Sequence, residues 1–277
     1  MADNLFDDMV ASYEPKNSFE HECAIREVMQ IFVLAGLNRG GFFEHAAFYG
    51  GSCLKIYYGL DRFSEDLDFT LLSPDNAFSL KPYFEAIYDE FSISGREIII
   101  TEKTKSAITS INSAFLKDNT QIFDLNGKLM PKVRIKFEID TDPPPGFETE
   151  YNLSMSPYSF LARCYSLPSS FAGKMSALLY RGWRDRIKGR DWYDFEWYVR
   201  KGVVMDLGHF NERALQFGKT DERFTADTFK EALREKIRNV DIELVKMDVL
   251  GFIDDSTRLD IWSRDYFLKV AELMLIK

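Results

Sequence analysis

The sequence predicts an α/β protein: a mixed sheet flanked by helices, followed by a mainly helical C-terminal domain. Three observations carry this. Apolar residues recur at helical spacing in "NSFEHECAIREVMQIFVLAGLNRGG" and "SLKPYFEAIYDEFS". Short runs rich in Ile, Val, Phe and Thr stand around them, the pattern of half-buried strands. From about residue 155 onward helical spacing dominates and strand signal is sparse. Helix, strand, helix, then three strands in order indicate a mixed sheet covered by helices.

Taken along the chain, the first long helix has Asn17 or Ser18 as N-cap and Gly40-Gly41 as its stop, with Ala24, Val28, Ile31, Phe32, Leu34 and Ala35 on one face. "HAAFYGG" is a short apolar run ending in glycines, "SCLKIYYGL" a short helix, and "DLDFTLL" a strand. After the second amphipathic helix, "REIIITEK", "AITSINSAFL" and "PKVRIKFEID" read as strands. Residues 140–157, with three consecutive prolines, form the natural linker. The expected domains are therefore 1–150 and 151–277, the second built from "SFAGKMSALLYRGW", "DWYDFEWYVRKG", "DTFKEALREKIRNV" and "RDYFLKVAELMLI".

The bulk numbers exclude several roles. A chain of 277 residues with 45% hydrophobic and 15% aromatic content buries a real core and is not disordered. A net charge of -9 argues against non-specific coating of nucleic acid. Cys23, Cys53 and Cys164 form no C-x-x-C pair, so neither a zinc knuckle nor a disulfide framework is expected and a reducing compartment is. The acidic start "MADNLFDDMVASYEP" has no signal-peptide pattern, and no apolar run is long enough to span a bilayer, so the expected location is cytoplasmic, with no membrane partner. His21, His45 and His209 lack ligand spacing and read as structural, and Ser52 and Ser64 have no His and Asp partners in sight.

The chemistry concentrates in "YGGSCLKIYYGLDRFSEDLDFTLL", Tyr49 to Leu72. On a strand, residues two apart share a face, so Asp66 and Asp68 point one way and Leu67 and Phe69 the other. Two carboxylates that close repel unless a cation lies between them, and Mg²⁺ is a hard ion held by one or two carboxylates plus phosphates and water. A bare D-x-D is more often a solvated edge strand. Here Gly50-Gly51-Ser52 precedes it by one short helix, and glycines opening a helix form a phosphate cradle. Alone, that turn would read as a helix capped by Ser52. Together the two pieces point to a nucleoside triphosphate with its metal ions.

This wording, "GGSxLxxxYGLxRFSEDLDF", resembles the first motif of the nucleotidyltransferase superfamily, Gly-Ser, a spacer, then Asp-x-Asp, and within it the AbiEii/AbiGii-type toxins of bacterial type IV toxin–antitoxin and phage-defence systems. The resemblance implies a nucleotidyltransferase-type sheet and transfer of a nucleoside monophosphate from an NTP to an acceptor hydroxyl, tRNA among the acceptors. It implies two Mg²⁺ (or Mn²⁺) ions on Asp66, Asp68 and a third acid from a neighbouring strand. In "KVRIKFEID", Arg134, Lys136, Glu138 and Asp140 share a face, which an ordinary charged strand would also show; Glu138 is the expected third acid and base, and Asp140 the alternative.

A second block, "SFAGKMSALLYRGWRDRIKGRDWYDFEWYV", resembles the family's helical segment A-x-K-x-x-A-L-x-x-R followed by R-D-x-Y-D-F, onto which Lys174, Arg181, Arg190, Asp191 and Asp194 fall. The resemblance implies that this domain contributes to the active-site cleft: Lys174 holds the triphosphate and Asp191 orients Lys174 or the incoming substrate. Gly50, Gly51, Ser52, Ser64, Lys174 and Arg181 are then the nucleotide-binding residues. Arg181, Arg184, Arg186, Lys188 and Arg190 form a basic cluster suited to RNA or triphosphate, although charge runs are usually solvated. Trp192, Tyr193, Phe195, Trp197 and Tyr198 read as core and not as a base-stacking platform. A toxin of this kind implies a cognate antitoxin. The competing readings are a non-catalytic protein that keeps the fold to bind nucleotide or a partner, and an enzyme modifying a small molecule such as an antibiotic.

Overall fold

A computed structural model of the chain describes residues 5–103, 111–120, 132–181 and 187–277. The chain forms two compact units. One, the sheet unit, comprises Met1–Cys53, Glu65–Pro143 and Tyr151–Cys164; the other, the helical unit, comprises Leu54–Ser64, Pro144–Glu150 and Tyr165–Lys277.

The elements of the first two-thirds are α1 (Leu5–Ala11), α2 (Ser18–Arg39), β1 (Ala46–Tyr49), α3 (Gly50–Tyr58), β2 (Leu67–Leu71), α4 (Phe84–Ile93), β3 (Ile98–Lys103), β4 (Ile111–Asp118), β5 (Arg134–Asp140), β6 (Thr149–Ser154) and β7 (Phe160–Tyr165). The strands form one mixed sheet in the order β3-β4-β5-β2-β1-β7-β6. The β1–β2, β3–β4 and β4–β5 pairs are antiparallel, while β2–β5 and β1–β7 are parallel. Alternation sets the faces: Leu67, Phe69, Ile135, Phe137 and Ile139 are buried, and the residues between them carry the charge. α2 begins where the cap signal lies, with Asn17 accepting the Glu20 amide at 2.9 Å. Its buried face includes Val28, Phe32 and Ala35.

One expectation is corrected here. The chain is not helical from residue 155 onward, because β6 and β7 both belong to the sheet. A single cut at residue 150 would therefore divide β6, whose last four residues lie in the sheet unit. The sequence hid these strands because Tyr151 and Leu153 on β6 face solvent, so the apolar-in signal is missing, and β7 is a six-residue run broken by Arg163. The proline run is a passage between units: Pro143 closes one segment and Pro144 opens another. The first residues of the expected strand "AITSINSAFL", 107–110, and Pro131 of "PKVRIKFEID" lie outside the described residues.

The helical unit contains α5 (Leu167–Tyr180), α6 (Gly189–Arg200), β8 (Val204–Met205), α7 (Leu207–Gln216), α8 (Ala226–Asn239), α9 (Ile242–Val249), α10 (Arg264–Leu273) and β9 (Leu275–Ile276), with β8 and β9 paired in parallel. Its core joins Leu54 and Leu60 to Phe171, Met175, Trp192 and Phe267. The aromatics of α6 are buried as read from the sequence, with Phe171 stacked on Tyr198 at 4.4 Å. Among the described residues no helix is long and apolar enough to cross a membrane, and none of the three cysteines is in a disulfide.

Candidate active site

The acidic pair is built around a glycine. Tyr49 is registered against Asp68 across the β1–β2 pair, and the chain leaves β1 through Gly50 with φ +82°. A Cβ at Gly50 would lie 2.4 Å from Asp68 Oδ2 and 3.1 Å from Asp68 Cβ, so only glycine leaves the carboxylate where it is. Asp66 is exposed and Asp68 half-buried, with Leu67 and Phe69 buried on the opposite face.

Ser52 does not cap its helix. Its buried hydroxyl donates to the Asp66 carbonyl oxygen at 2.5 Å and receives Nε2 of Gln30 at 3.4 Å. Gln30, from α2, also donates to the Glu65 carbonyl at 3.0 Å. Ser52 and Gln30 thereby tie the glycine turn to the backbone that presents Asp66. Sequence reading assigned Ser52 to phosphate and passed over Gln30, whose only signal was a polar residue on the apolar face of α2.

The parallel β2–β5 pair decides which acid stands beside the D-x-D. Asp68 is registered with Glu138, and Thr70 with Asp140. Asp140 Oδ1 accepts the Asp142 amide at 3.0 Å and so shapes the turn after β5. Glu138 instead pairs with Lys136, Nζ to Oε1 at 2.7 Å. Burial alone would lower the Lys136 pKa, but the bond and charge of Glu138, with the charges of Asp66 and Asp68, raise it above the ordinary lysine value. A cation already stands among these acids.

Among the described residues, no three His, Cys, Asp or Glu side chains are grouped to hold a metal ion by themselves. The donor set nonetheless fits one: all its ligands are hard oxygens, Lys136 marks where positive charge is favoured, and a pair of carboxylates is what Mg²⁺ takes when phosphates and water complete its shell. Asp66 and Asp68 suit that role, while Glu138 is engaged by Lys136.

In the helical unit the expected charges pair differently from the sequence reading. Asp194 on α6, fully buried, accepts Nε and Nη2 of Arg62 at 2.6 and 2.8 Å, and Lys174 Nζ on α5 reaches its Oδ2 at 2.6 Å. Burial would raise the Asp194 pKa, but the two cations overcome it and hold the carboxyl down at about 2. Asp191 was expected to orient Lys174. It lies instead against Arg181, Nη1 to Oδ2 at 3.1 Å, and Asp194 holds the lysine. Residues 191 and 194 are one helical turn apart, so spacing alone could not separate them.

Arg62, buried and bidentate on Asp194, was, like Gln30, missed by sequence reading, although it stands in the motif wording. Ser64 is buried in this same unit. The Lys188 pKa is lowered by burial and by Arg181, Arg190 and Lys174, against the pull of Asp191. The guanidinium of Arg190 lies over the Phe252 ring at 3.9 Å. Arg184 and Arg186 of the expected basic cluster lie outside the described residues.

Comparison with known proteins follows this geometry. A family model described as "Nucleotidyl transferase AbiEii toxin, Type IV TA system" matches residues 33–270. No curated protein matches the sequence. Among solved structures, an H. pylori protein assigned provisionally to the nucleotidyltransferases is 21% identical with a TM-score of 0.52, over 90% of this chain and 92% of that one. JHP933 from Helicobacter pylori is 19% identical with a TM-score of 0.52, over 91% and 90%. MenT4, a nucleotidyltransferase toxin from Mycobacterium tuberculosis H37Rv, is 14% identical with a TM-score of 0.49, over 96% and 98%. At these identities the likeness is one of fold.

Proposed function

Since the chain belongs to the AbiEii family of nucleotidyl transferase toxins of type IV toxin–antitoxin systems, we propose that it moves a nucleoside monophosphate from an NTP to an acceptor hydroxyl. The acceptor oxygen forms a bond to the α-phosphorus, the bond from that phosphorus to the bridging oxygen of the β-phosphate breaks, and pyrophosphate leaves. The hydroxyl proton passes to Glu138, once its carboxylate is released by Lys136. Asp66 and Asp68 would hold divalent metal, two Mg²⁺ or Mn²⁺ ions. When bound, such ions neutralise the charge that builds on the phosphate oxygens.

The observation that carries this reading is the Asp68–Glu138 register beside Gly50, where a Cβ would strike the Asp68 carboxylate. The backbone of Gly50 and Gly51, opening α3, supplies amides to phosphate, while Ser52 positions Asp66. Lys174 and Arg181 supply positive charge to substrate phosphate.

The acceptor class we propose is RNA, tRNA included. The charges of Arg181, Arg190 and Lys174 all act on Lys188, against Asp191, and this concentration of positive charge is the kind that attracts a polyanion. The chain then works in the cytoplasm, where NTP and RNA meet, alongside an antitoxin. The test is incubation with each labelled NTP, Mg²⁺ and total cellular RNA. Label on RNA with pyrophosphate release is the expected result. Label on a small molecule alone would transfer the proposal to a different acceptor class, and binding without pyrophosphate release would end it.

A further inference from the structure

Three charges meet in the core of the helical unit, and they do not cancel. Arg62 and Asp194 are fully buried, and the guanidinium fork saturates both carboxylate oxygens at 2.6 and 2.8 Å. A third Arg62 nitrogen, Nη1, donates to the Phe63 carbonyl at 2.8 Å. Lys174 then adds a second cation to the same carboxylate at 2.6 Å, and its side chain keeps 17% of its surface exposed. Two cations on one anion leave a surplus of one positive charge; Asp191, whose charge also acts on Arg62, is matched by Arg181 at 3.1 Å. Asp194 has no exposed surface and Arg62 almost none, so the surplus is presented at Lys174.

A lysine paired with a carboxylate of its own would be a poor phosphate ligand, because the pair is already neutral. Arg62 changes that balance. It neutralises Asp194, so Asp194 can aim the lysine without spending its charge. Burial costs each ion several kcal/mol of hydration, which the bidentate pairing offsets.

We propose that Arg62 is a positioning residue which, by neutralising Asp194, keeps the charge of Lys174 available to an oxyanion, the phosphate of the nucleotide substrate. The identity of that oxyanion rests on the nucleotidyl-transfer reading; the charge balance does not.

The experiment measures calorimetric affinity for inorganic tripolyphosphate, and for the NTP that the full chain consumes, in wild type, Arg62→Gln, Arg62→Lys and the double variant Arg62→Gln/Asp194→Asn. In Arg62→Gln the carboxylate falls to Lys174 alone, and binding should weaken roughly ten- to a hundredfold, the loss of one charge-assisted contact to phosphate. The double variant removes one charge of each sign and restores the surplus, so its affinity should return to within a few-fold of wild type. Arg62→Lys should lie between. A purely structural arginine predicts the opposite order, with the double variant no better than the single.

Equal affinity in wild type and Arg62→Gln, or a folded double variant as weak as the single, would overturn the inference. Should Arg62→Gln fail to fold, the double variant decides alone, its fold checked by circular dichroism: affinity within a few-fold of wild type supports the inference, and a loss of roughly tenfold or more overturns it. Transfer by wild type with an unaffected Arg62→Gln sinks this inference and leaves the enzyme reading standing; tripolyphosphate binding that follows the charge balance, with no transfer from any NTP, does the reverse.

Discussion

Replacing Gly50 by alanine tests the site at its tightest point. Two costs follow from the geometry, and they can be separated. The first is backbone: φ is +82°, and an L-residue held in the left-handed region loses about 1–2 kcal/mol. For a chain of this size each kcal/mol lowers Tm by about 2–4 °C. The second is the collision with Asp68, whose Oδ2 lies 2.4 Å from the new Cβ. Turning the carboxylate relieves that contact, but Asp68 Cβ at 3.1 Å stays tight, so the acid is both turned and displaced. A reacting group misplaced by about 1 Å costs on the order of 10²-fold in rate. Gly59→Ala is the control: its φ is +75°, and nothing lies within 4 Å of the added Cβ. Both variants should show the same modest drop in Tm, and only Gly50→Ala should lose nucleotide transfer to labelled RNA by a hundredfold or more. Equal activity in the two would refute the claim that Gly50 exists to make room for Asp68.

Five further outcomes are expected. Asp66→Asn or Asp68→Asn should cut transfer by on the order of 10³-fold with the metal-free melting temperature unchanged or raised, as like charges are relieved; activity assays and melts together check this. Glu138→Gln should be far more damaging to turnover than Asp140→Asn, because Glu138 is registered with Asp68 and Asp140 with Thr70; the reverse ranking would move the third acid by two residues. Asp194→Ala strands the buried Arg62 without its carboxylate and should destabilise the protein by about 3–5 kcal/mol in denaturant titration. Since the folded Asp194 pKa is depressed to about 2, its contribution is present above the unfolded value near 3.9 and is lost as pH falls toward 2, so acid unfolding should be shallower in Asp194→Asn. His209, buried with Nδ1 against the Pro145 carbonyl at 3.0 Å, has its pKa lowered to about 4 by burial. The unfolded chain therefore binds the extra proton first as pH drops below about 6.5, costing about 2 kcal/mol by pH 5, and His209→Gln should abolish that dependence in melts at pH 7.5 and 5.

What was legible in the sequence was whatever a period or a cap reveals. The strand around Asp68 and the charged face of β5 follow from a spacing of 2, and the helix from Asn17 to Gly40 from its cap and its apolar length, since Phe32–Leu37 are buried on every side and not on one face. β6 and β7 were illegible because their pattern is inverted or too short, and the proline run, where the chain passes from the sheet unit to the helical unit, gave no sign that two more strands of the sheet follow it. At the site, residue types were legible and partners were not. Lys136 looked like one rung of a charge ladder, and only the fold shows it bound to Glu138. Asp191 and Asp194 share a helix face, and only packing decides that the fully buried one receives Arg62 and Lys174.

The density of the motif from Tyr49 to Leu72 has a physical explanation in how the chain is divided. Gly50–Cys53 and Glu65–Leu72 belong to the sheet unit, whereas Leu54–Ser64 belong to the helical unit. A motif that served only the acids would need Gly50, Ser52, Asp66 and Asp68, and would tolerate any short helix between. Here the intervening residues answer to a second set of demands. Leu54 and Leu60 enter the helical core. Tyr58 donates to the Tyr165 carbonyl at 3.0 Å. Gly59 supplies a left-handed turn. Asp61 accepts from Tyr193 at 2.9 Å and pairs with Arg200 and Arg258. Arg62 fills the one place where a buried carboxylate needs a fork. Two units therefore constrain twenty-odd consecutive residues, each at different positions. That is why the stretch is far more specific than D-x-D, and why substitutions at Leu54, Gly59 or Arg62 should first be read out as stability or charge in the helical unit, while those at Gly50, Ser52, Asp66 and Asp68 should be read out at the acids.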